Sequence, residues 1–241
     1  MEFQKSTVRE YFESIVITAI IALFATTFTV QAFKIPTGSM ETNLLIGDHL
    51  LVNKFVYGLH SGFLSKILPY KEPKRGDVIV FKYPNNTEVA YVKRLIGMPG
   101  DIVHMMGHTV YINGKPLKEE YTRYISPDSI NANYGPYRVP QDQYFAMGDN
   151  RDNSLDCRFW CADASPNCHE VEAGVSMGSH YFGTVPRDYL LGKALVIYWS
   201  FETPSGEYLQ TGVGNRVKQF ADVIFNFFTK TRWSRTFKII R

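Results

Sequence analysis

The sequence predicts a mostly β protein: an antiparallel β-sheet core with a small β insertion, set between one N-terminal transmembrane helix and a C-terminal amphipathic helix. Three observations carry that expectation. The 241 residues include 15 Tyr, 17 Phe and many Val and Ile, with 18 Gly and 12 Pro to break the chain into short elements, a balance that favours strands and turns. Residues 14–33 contain no charged side chain. In the tail, Val217, Phe220, Ala221, Ile224, Phe227 and Phe228 recur at spacings of three and four, one apolar face of a helix.

The uncharged run is bracketed by Glu13 and Lys34 and is rich in Ile, Val, Ala, Phe and Thr. At a rise of about 1.5 Å per residue, twenty residues span about 30 Å of hydrocarbon. No polar face repeats at helical spacing within the run, which argues against a buried core helix. Val30-Gln31-Ala32 has the form of a small-x-small cleavage site, but the run is long for a signal peptide and its head mixes Glu2, Glu10 and Glu13 with Lys5 and Arg9. A retained anchor is the reading adopted.

Behind the anchor, Pro36 and Gly38 exclude regular structure around Ser39 and place it on a turn. Strands are expected over 48–57, 77–83 and 88–96, the last two at hairpin spacing. Residues 101–143 change character, with a short strand at 109–112, an Asn113-Gly114 turn that suits a type I′ hairpin, and Tyr-rich loops. Residues 144–147 and 192–201 resume the β pattern. The resulting organisation is an N-terminal segment 1–13, an anchor 14–33, a β core from 34–100 and 144–210, an inserted β subdomain 101–143 and a basic tail 211–241.

The net charge of +3 conceals a division: residues 216–241 carry seven Lys or Arg against Asp222, so the tail is +6 and the rest −3. A basic segment interleaved with aromatic residues suits an anionic lipid bilayer, and no basic stripe elsewhere supports nucleic acid as a partner. Whether the tail helix lies on the membrane or packs on the protein is left open by spacing. Cys157, Cys161 and Cys168 fall within twelve residues. They admit one disulfide, with Cys161 to Cys168 the first choice outside the cytoplasm, or free thiols, or a metal site completed by His169. The last matches no common zinc spacing, so no metal and no cofactor are expected.

Six scattered His residues give no spaced partner for a Ser/His/Asp triad. A lysine among apolar groups loses its proton more readily and can activate a serine. Lys93 shares its strand face with Val89, Tyr91 and Leu95 by period-two alternation, although spacing alone equally describes a solvated strand lysine.

Three segments resolve the ambiguity by resemblance. Pro36-Thr37-Gly38-Ser39-Met40 followed by Leu44-Leu45-Ile46-Gly47-Asp48, then Arg75-Gly76-Asp77-Val78-Ile79-Val80-Phe81 with Tyr91-Val92-Lys93-Arg94-Leu95-Ile96-Gly97-Met98-Pro99-Gly100-Asp101, then Gly148-Asp149-Asn150-Arg151-Asp152-Asn153-Ser154 with Asp156 and Arg158, resemble the three boxes of bacterial type I signal peptidase, in that family's order. The resemblance implies Ser39 as nucleophile and Lys93 as general base. It implies an oxyanion site from the Ser39 N–H and the Thr37 hydroxyl, with Ser154 orienting the lysine and Arg94–Asp149 and Asp156–Arg158 as supporting ion pairs. Ile35, Pro36, Met40, Leu44, Tyr91 and Val92 would line shallow pockets for an Ala-x-Ala signal sequence presented as an added strand. It further implies secretory preproteins as partners, a cytoplasmic N-terminus and a single-pass protein of the bacterial plasma membrane with its catalytic domain on the outer side. The residues from Cys157 to Tyr181 depart from the family pattern. Alternatives are another Ser/Lys peptidase, such as a pilin-processing or self-cleaving repressor type, and a catalytically silent, membrane-tethered β module that binds peptides. The 33 residues before the first box leave no room for a repressor's DNA-binding module.

Overall fold

The computed structural model of the chain describes residues 6–24, 30–54, 56–57, 71–125, 133–160, 183–206 and 212–240. Helix α1 (Thr7–Phe24) opens it. Strands β1 (Val30–Lys34), β2 (Asp48–Asn53), β3 (Val78–Tyr83) and β4 (Asn86–Gly97) follow, then β5 (Ile102–Met106), β6 (Thr109–Ile112), β7 (Lys115–Pro116) and β8 (Tyr134–Arg138). The chain returns through β9 (Gln143–Met147), β10 (Val185–Pro186) and β11 (Leu190–Ser200), and continues into helix α2 (Val213–Lys230) and β12 (Lys238–Ile239).

Among the described residues there are two sheets, and all strand pairs are antiparallel. The larger has the order β1-β2-β11-β3-β4-β9-β10, with β12 on β11, and the smaller runs β7-β6-β5-β8. The mostly antiparallel β core expected from sequence is therefore observed. Strand β3 explains why two hydrophobic clusters form. Val78, Ile79, Val80 and Phe81 are all buried. Alternation sends Val78 and Val80 to one face, with Leu50, Val52, Ala194 and Ile197, and Ile79 and Phe81 to the other, with Leu95, Phe145, Met147 and Trp160. Burying each such aliphatic or Phe side chain contributes about 1.5–3 kcal/mol.

The β3–β4 hairpin pairs Ile79 with Lys93 and Val78 with Arg94. The register thus sets two charged residues beside the core and fixes which face each takes. In the smaller sheet, Asn113 (φ 52°) and Gly114 (φ 78°) turn β6 into β7 with both central residues left-handed, as a type I′ turn requires.

Several expectations need correction. The uncharged run 14–33 is not one helix: α1 is described as far as Phe24, and Val30–Lys34 forms β1, paired residue for residue with β2 from Val30↔Asn53 to Lys34↔His49. The alternation in Val30-Gln31-Ala32-Phe33 suits a pleated edge strand, and hydropathy alone does not separate that from a helix end. Among the described residues, no helix is long and apolar enough to cross a membrane. Strand β2 stops at Asn53, four residues short of the expected end, and β11 begins at Leu190, two earlier than expected. Cys157 is a free, buried thiol; Cys161, Cys168 and His169 lie outside the described residues, as does most of the 157–181 excursion.

Candidate active site

Ser39 sits on a single 3-10 turn, Gly38–Met40. The turn is tied down before and after: Ile35 N donates to Asp48 O (2.9 Å), Gly47 N to Ile35 O (2.9 Å) and Leu44 N to Met40 O (2.8 Å). The buried side chains of Ile35, Met40 and Leu44 pin the same loop to the β2–β11 cluster. A serine thus rides on a non-repetitive turn whose neighbours are hydrogen-bonded and buried on both sides.

The loop after β9 grips that turn from the other side. Asn150 N donates to Ser39 O (3.1 Å), and Asn150 Nδ2 to Gly38 O (3.2 Å). Gly148 allows this approach, since a Cβ there would overlap Ser154 Oγ and stand 2.5 Å from Ser39 O.

Lys93 projects from β4 into the space between these loops. It is 4% exposed, and its Nζ is hydrogen-bonded to Ser39 Oγ at 2.7 Å. Burial pulls the ammonium pKa from 10.5 down to about 8, against the opposing pull of the Asp156 carboxylate. About a tenth of the amine is then neutral at pH 7, against well under a thousandth for an ordinary lysine, and a neutral amine accepts a proton from a hydroxyl at that distance. The Tyr91 ring lies 5.3 Å from Nζ on the same strand face.

Two buried ion pairs frame the lysine. Arg94 Nε and Nη2 each donate to Asp149 at 2.7 Å; Arg94 Nη1 donates to Gly76 O, and the Tyr121 ring stacks 3.9 Å from the guanidinium. Arg158 donates twice to Asp156 at 2.8 Å, while Gly148 N donates to the same carboxylate at 2.9 Å. Burial would raise the Asp156 pKa, but Arg158 and these donors outweigh it and hold the carboxyl below its usual range. Both pairs fix the loop that grips Ser39.

The other residues singled out by sequence take varied places. The Ser154 hydroxyl is buried against Gly148 and near enough to Asp156 to help hold its carboxyl low, yet no hydrogen bond joins it to Lys93. Thr37 is exposed just before the turn, and its side chain makes no cap hydrogen bond. Pro36, Tyr91 and Val92 are half-buried at the surface of the site. Ile35, Met40 and Leu44, expected to line shallow pockets, are 3%, 1% and 0% exposed and lie beneath the turn.

Several contributors had no assigned role. Asn43 Nδ2 donates to Asp149 Oδ2 (2.7 Å) and Tyr121 O (3.0 Å). Glu119 forms a buried pair with Arg151. From the tail, Arg235 Nη2 donates to Asp48 Oδ2 (2.6 Å) and Asn43 O (2.7 Å), while Arg232 Nη1 donates to Ile46 O (3.0 Å). Glu119, Arg232 and Arg235 meet the site only through long-range folding, and Asn43, four residues after Ser39, reaches Asp149 the same way, so no local pattern announces these contacts. Asn150 lay within the third box, and its position beside Gly148 was the available signal.

The family model described as signal peptidase, peptidase S26, matches residues 8–199, and the chain belongs to that family. It is therefore a serine endopeptidase of the signal-peptide-processing class. Signal peptidase I of Pseudomonas fluorescens is 34% identical over 232 residues, covering 83% of this chain and 75% of that protein. Probable signal peptidase I-2 of Synechocystis sp. is 36% identical over 200 residues, covering 81% and 75% respectively. A solved signal peptidase I from Enterococcus faecalis V583 is 31% identical, with 51% of this chain and 97% of that chain covered and a TM-score of 0.38.

Proposed function

We propose that the protein is a membrane-bound endopeptidase that cleaves secretory preproteins after an Ala-x-Ala-like site, with Ser39 as nucleophile and Lys93 as general base. The observation that carries the assignment is the 2.7 Å contact between Ser39 Oγ and an amine that is almost completely buried. Ser39 attacks the scissile carbonyl as Lys93 takes the hydroxyl proton; the resulting ammonium returns that proton to the departing amine. Water then repeats the sequence on the acyl-enzyme, with Lys93 again the base. The Ser39 N–H and the Thr37 hydroxyl are the oxyanion donors in this reading, each of a kind worth a few kcal/mol. Thr37 stands exposed beside the turn and free of a capping bond, which leaves its hydroxyl available to a substrate. Ser154 acts through the Asp156 side of the lysine cavity to keep Lys93 in place.

The substrate lies extended across the surface formed by Pro36, Tyr91 and Val92, bonding through its main chain while shallow contacts select small side chains. The anchor is α1. Tyr11, Phe12, Ile15, Ile17, Ile20, Ile21 and Leu23 are all exposed around its circumference, the pattern of a helix with lipid on every side. The protein sits in the bacterial plasma membrane with the β core on its outer side.

The test is cleavage of a preprotein carrying an Ala-x-Ala site by the full chain in detergent, compared with Ser39→Ala and Lys93→Met. Cleavage after the second Ala, lost in both folded variants, is expected. Undiminished cleavage by either variant would refute the catalytic assignment, and intact substrate with the native chain would favour a silent binding module.

A further inference from the structure

We infer that α2 lies in the surface of an anionic bilayer, its apolar stripe among the lipids, as a second membrane contact that acts on the loop carrying the nucleophile. This rests on the membrane-bound reading and deepens it. The observation is the direction of the stripe. A surface helix of a water-soluble domain turns its apolar face inward, but in α2 the stripe faces out: Val217, Phe220, Ile224 and Phe228 are 58–79% exposed, and Phe225 still more so. Of the stripe, Ala221 and Phe227 are half-buried, Phe227 against Trp199 and Trp233, while Asp222, Asn226 and Lys230 on the other side of the helix are half-buried as well. Lys230 pairs with Asp222 (2.7 Å), and Asn226 Nδ2 donates to the same carboxylate (2.7 Å).

Charge selects the occupant. Arg216 and Lys218 flank Val217, about 100° to either side of it on the helix, where long basic side chains reach headgroups while the stripe between them enters the acyl boundary. With Lys230 against Asp222, the helix carries a net +2. A second copy would bring the same positive rim against itself, whereas anionic headgroups complement it. Trp233 extends the surface beyond the helix. It is half exposed, stacks on Phe228 at 6.3 Å and donates from its indole N–H to Phe228 O, an amphipathic ring of the kind enriched at membrane interfaces.

The contact is coupled to the site through the chain that follows. Thr231 bridges Phe201, and Arg232 and Arg235 bond Ile46 O, Asn43 O and Asp48, on the same loop as Ser39. Seating α2 in the headgroups therefore orients the nucleophile relative to the bilayer in which a signal peptide is embedded.

The test uses the full chain in vesicles containing phosphatidylglycerol, with photoreactive benzoylphenylalanine placed at position 224 or, on the opposite face, at position 219. Lipid adducts at 224 but not at 219, in lower yield with phosphatidylcholine alone, are expected. Crosslinking of position 224 to a second copy, or no lipid adduct, would overturn the inference; equal yield in neutral vesicles would overturn the choice of anionic lipid. Flotation with the vesicles separates the two readings, since a chain that floats without a 224 adduct refutes this contact alone, and one that does not float refutes membrane binding itself. In parallel, Ile224→Glu with Phe228→Glu should slow cleavage of a bilayer-embedded preprotein severalfold and leave cleavage of a short soluble peptide unchanged. Equal slowing of both substrates would overturn the inference.

Discussion

Replacing Lys93 by Met should abolish cleavage and at the same time make the protein more stable. In the native fold the amine has a pKa of about 8, against 10.5 for an ordinary lysine. Between those values the unfolded chain holds a proton that the folded chain has shed, so stability rises with pH across that window. Below about pH 8 the folded state carries the full cost of a buried ammonium. A difference of some 2.5 pKa units corresponds to about 3 kcal/mol at about 1.4 kcal/mol per unit. Methionine removes the charge at similar volume and loses only the hydrogen bond to Ser39, worth about 1 kcal/mol. The variant should therefore gain about 2 kcal/mol at pH 7, or about 4–8 °C in Tm for a chain of this size. Thermal unfolding of both proteins in detergent, followed by circular dichroism from pH 7 to 10.5, is the assay. The gap should close as pH rises, because the native protein is relieved of its charge and the variant has none to lose. A gap independent of pH, or a variant less stable at pH 7, would refute the claim that burial lowers the pKa of Lys93.

Three further outcomes follow from the same geometry. The kcat/KM for a peptide substrate should rise about tenfold per pH unit well below pH 8 and level off above it, as the neutral fraction of Lys93 grows; a profile flat from pH 6 to 9 would contradict the lysine base. Asp149→Ala strands the buried guanidinium of Arg94 and should cost about 3–5 kcal/mol in denaturant unfolding, whereas an exposed pair such as Lys118–Glu120 should cost under about 1 kcal/mol when broken. Gly148→Ala forces a methyl between Ser154 and the Ser39 carbonyl, so kcat should fall about a hundredfold through misplacement of the nucleophile, measured on protein whose folding is verified by its circular dichroism spectrum.

The legible parts of the fold were those encoded locally. The β3–β4 hairpin was readable because two apolar runs flank a polar cluster at hairpin spacing, and the Asn113-Gly114 turn because few residue pairs tolerate its backbone angles. Ser39 and Lys93 were readable as a pair only through resemblance, since 54 positions separate them and only the fold brings them to 2.7 Å. Strand β1 was hidden by its own composition, for Val30 and Phe33 look the same to a hydropathy window in a sheet as in a bilayer. The burial of Met40 and Leu44 was likewise hidden: an apolar residue beside a nucleophile serves equally as pocket wall or as foundation, and only the packing of β2 and β11 chooses.

The bonds from Arg232 and Arg235 to the Asn43–Asp48 loop join residues 186 to 192 positions apart. Contacts of such separation require a large loop closure before they stabilise anything, and they tend to form late in folding. The loop beside Ser39 is thus completed by the opposite end of the domain, and its final shape depends on nearly all the intervening β core being in place. Proteolytic competence should therefore appear only with completed folding, since the loop beside Ser39 acquires these bonds last.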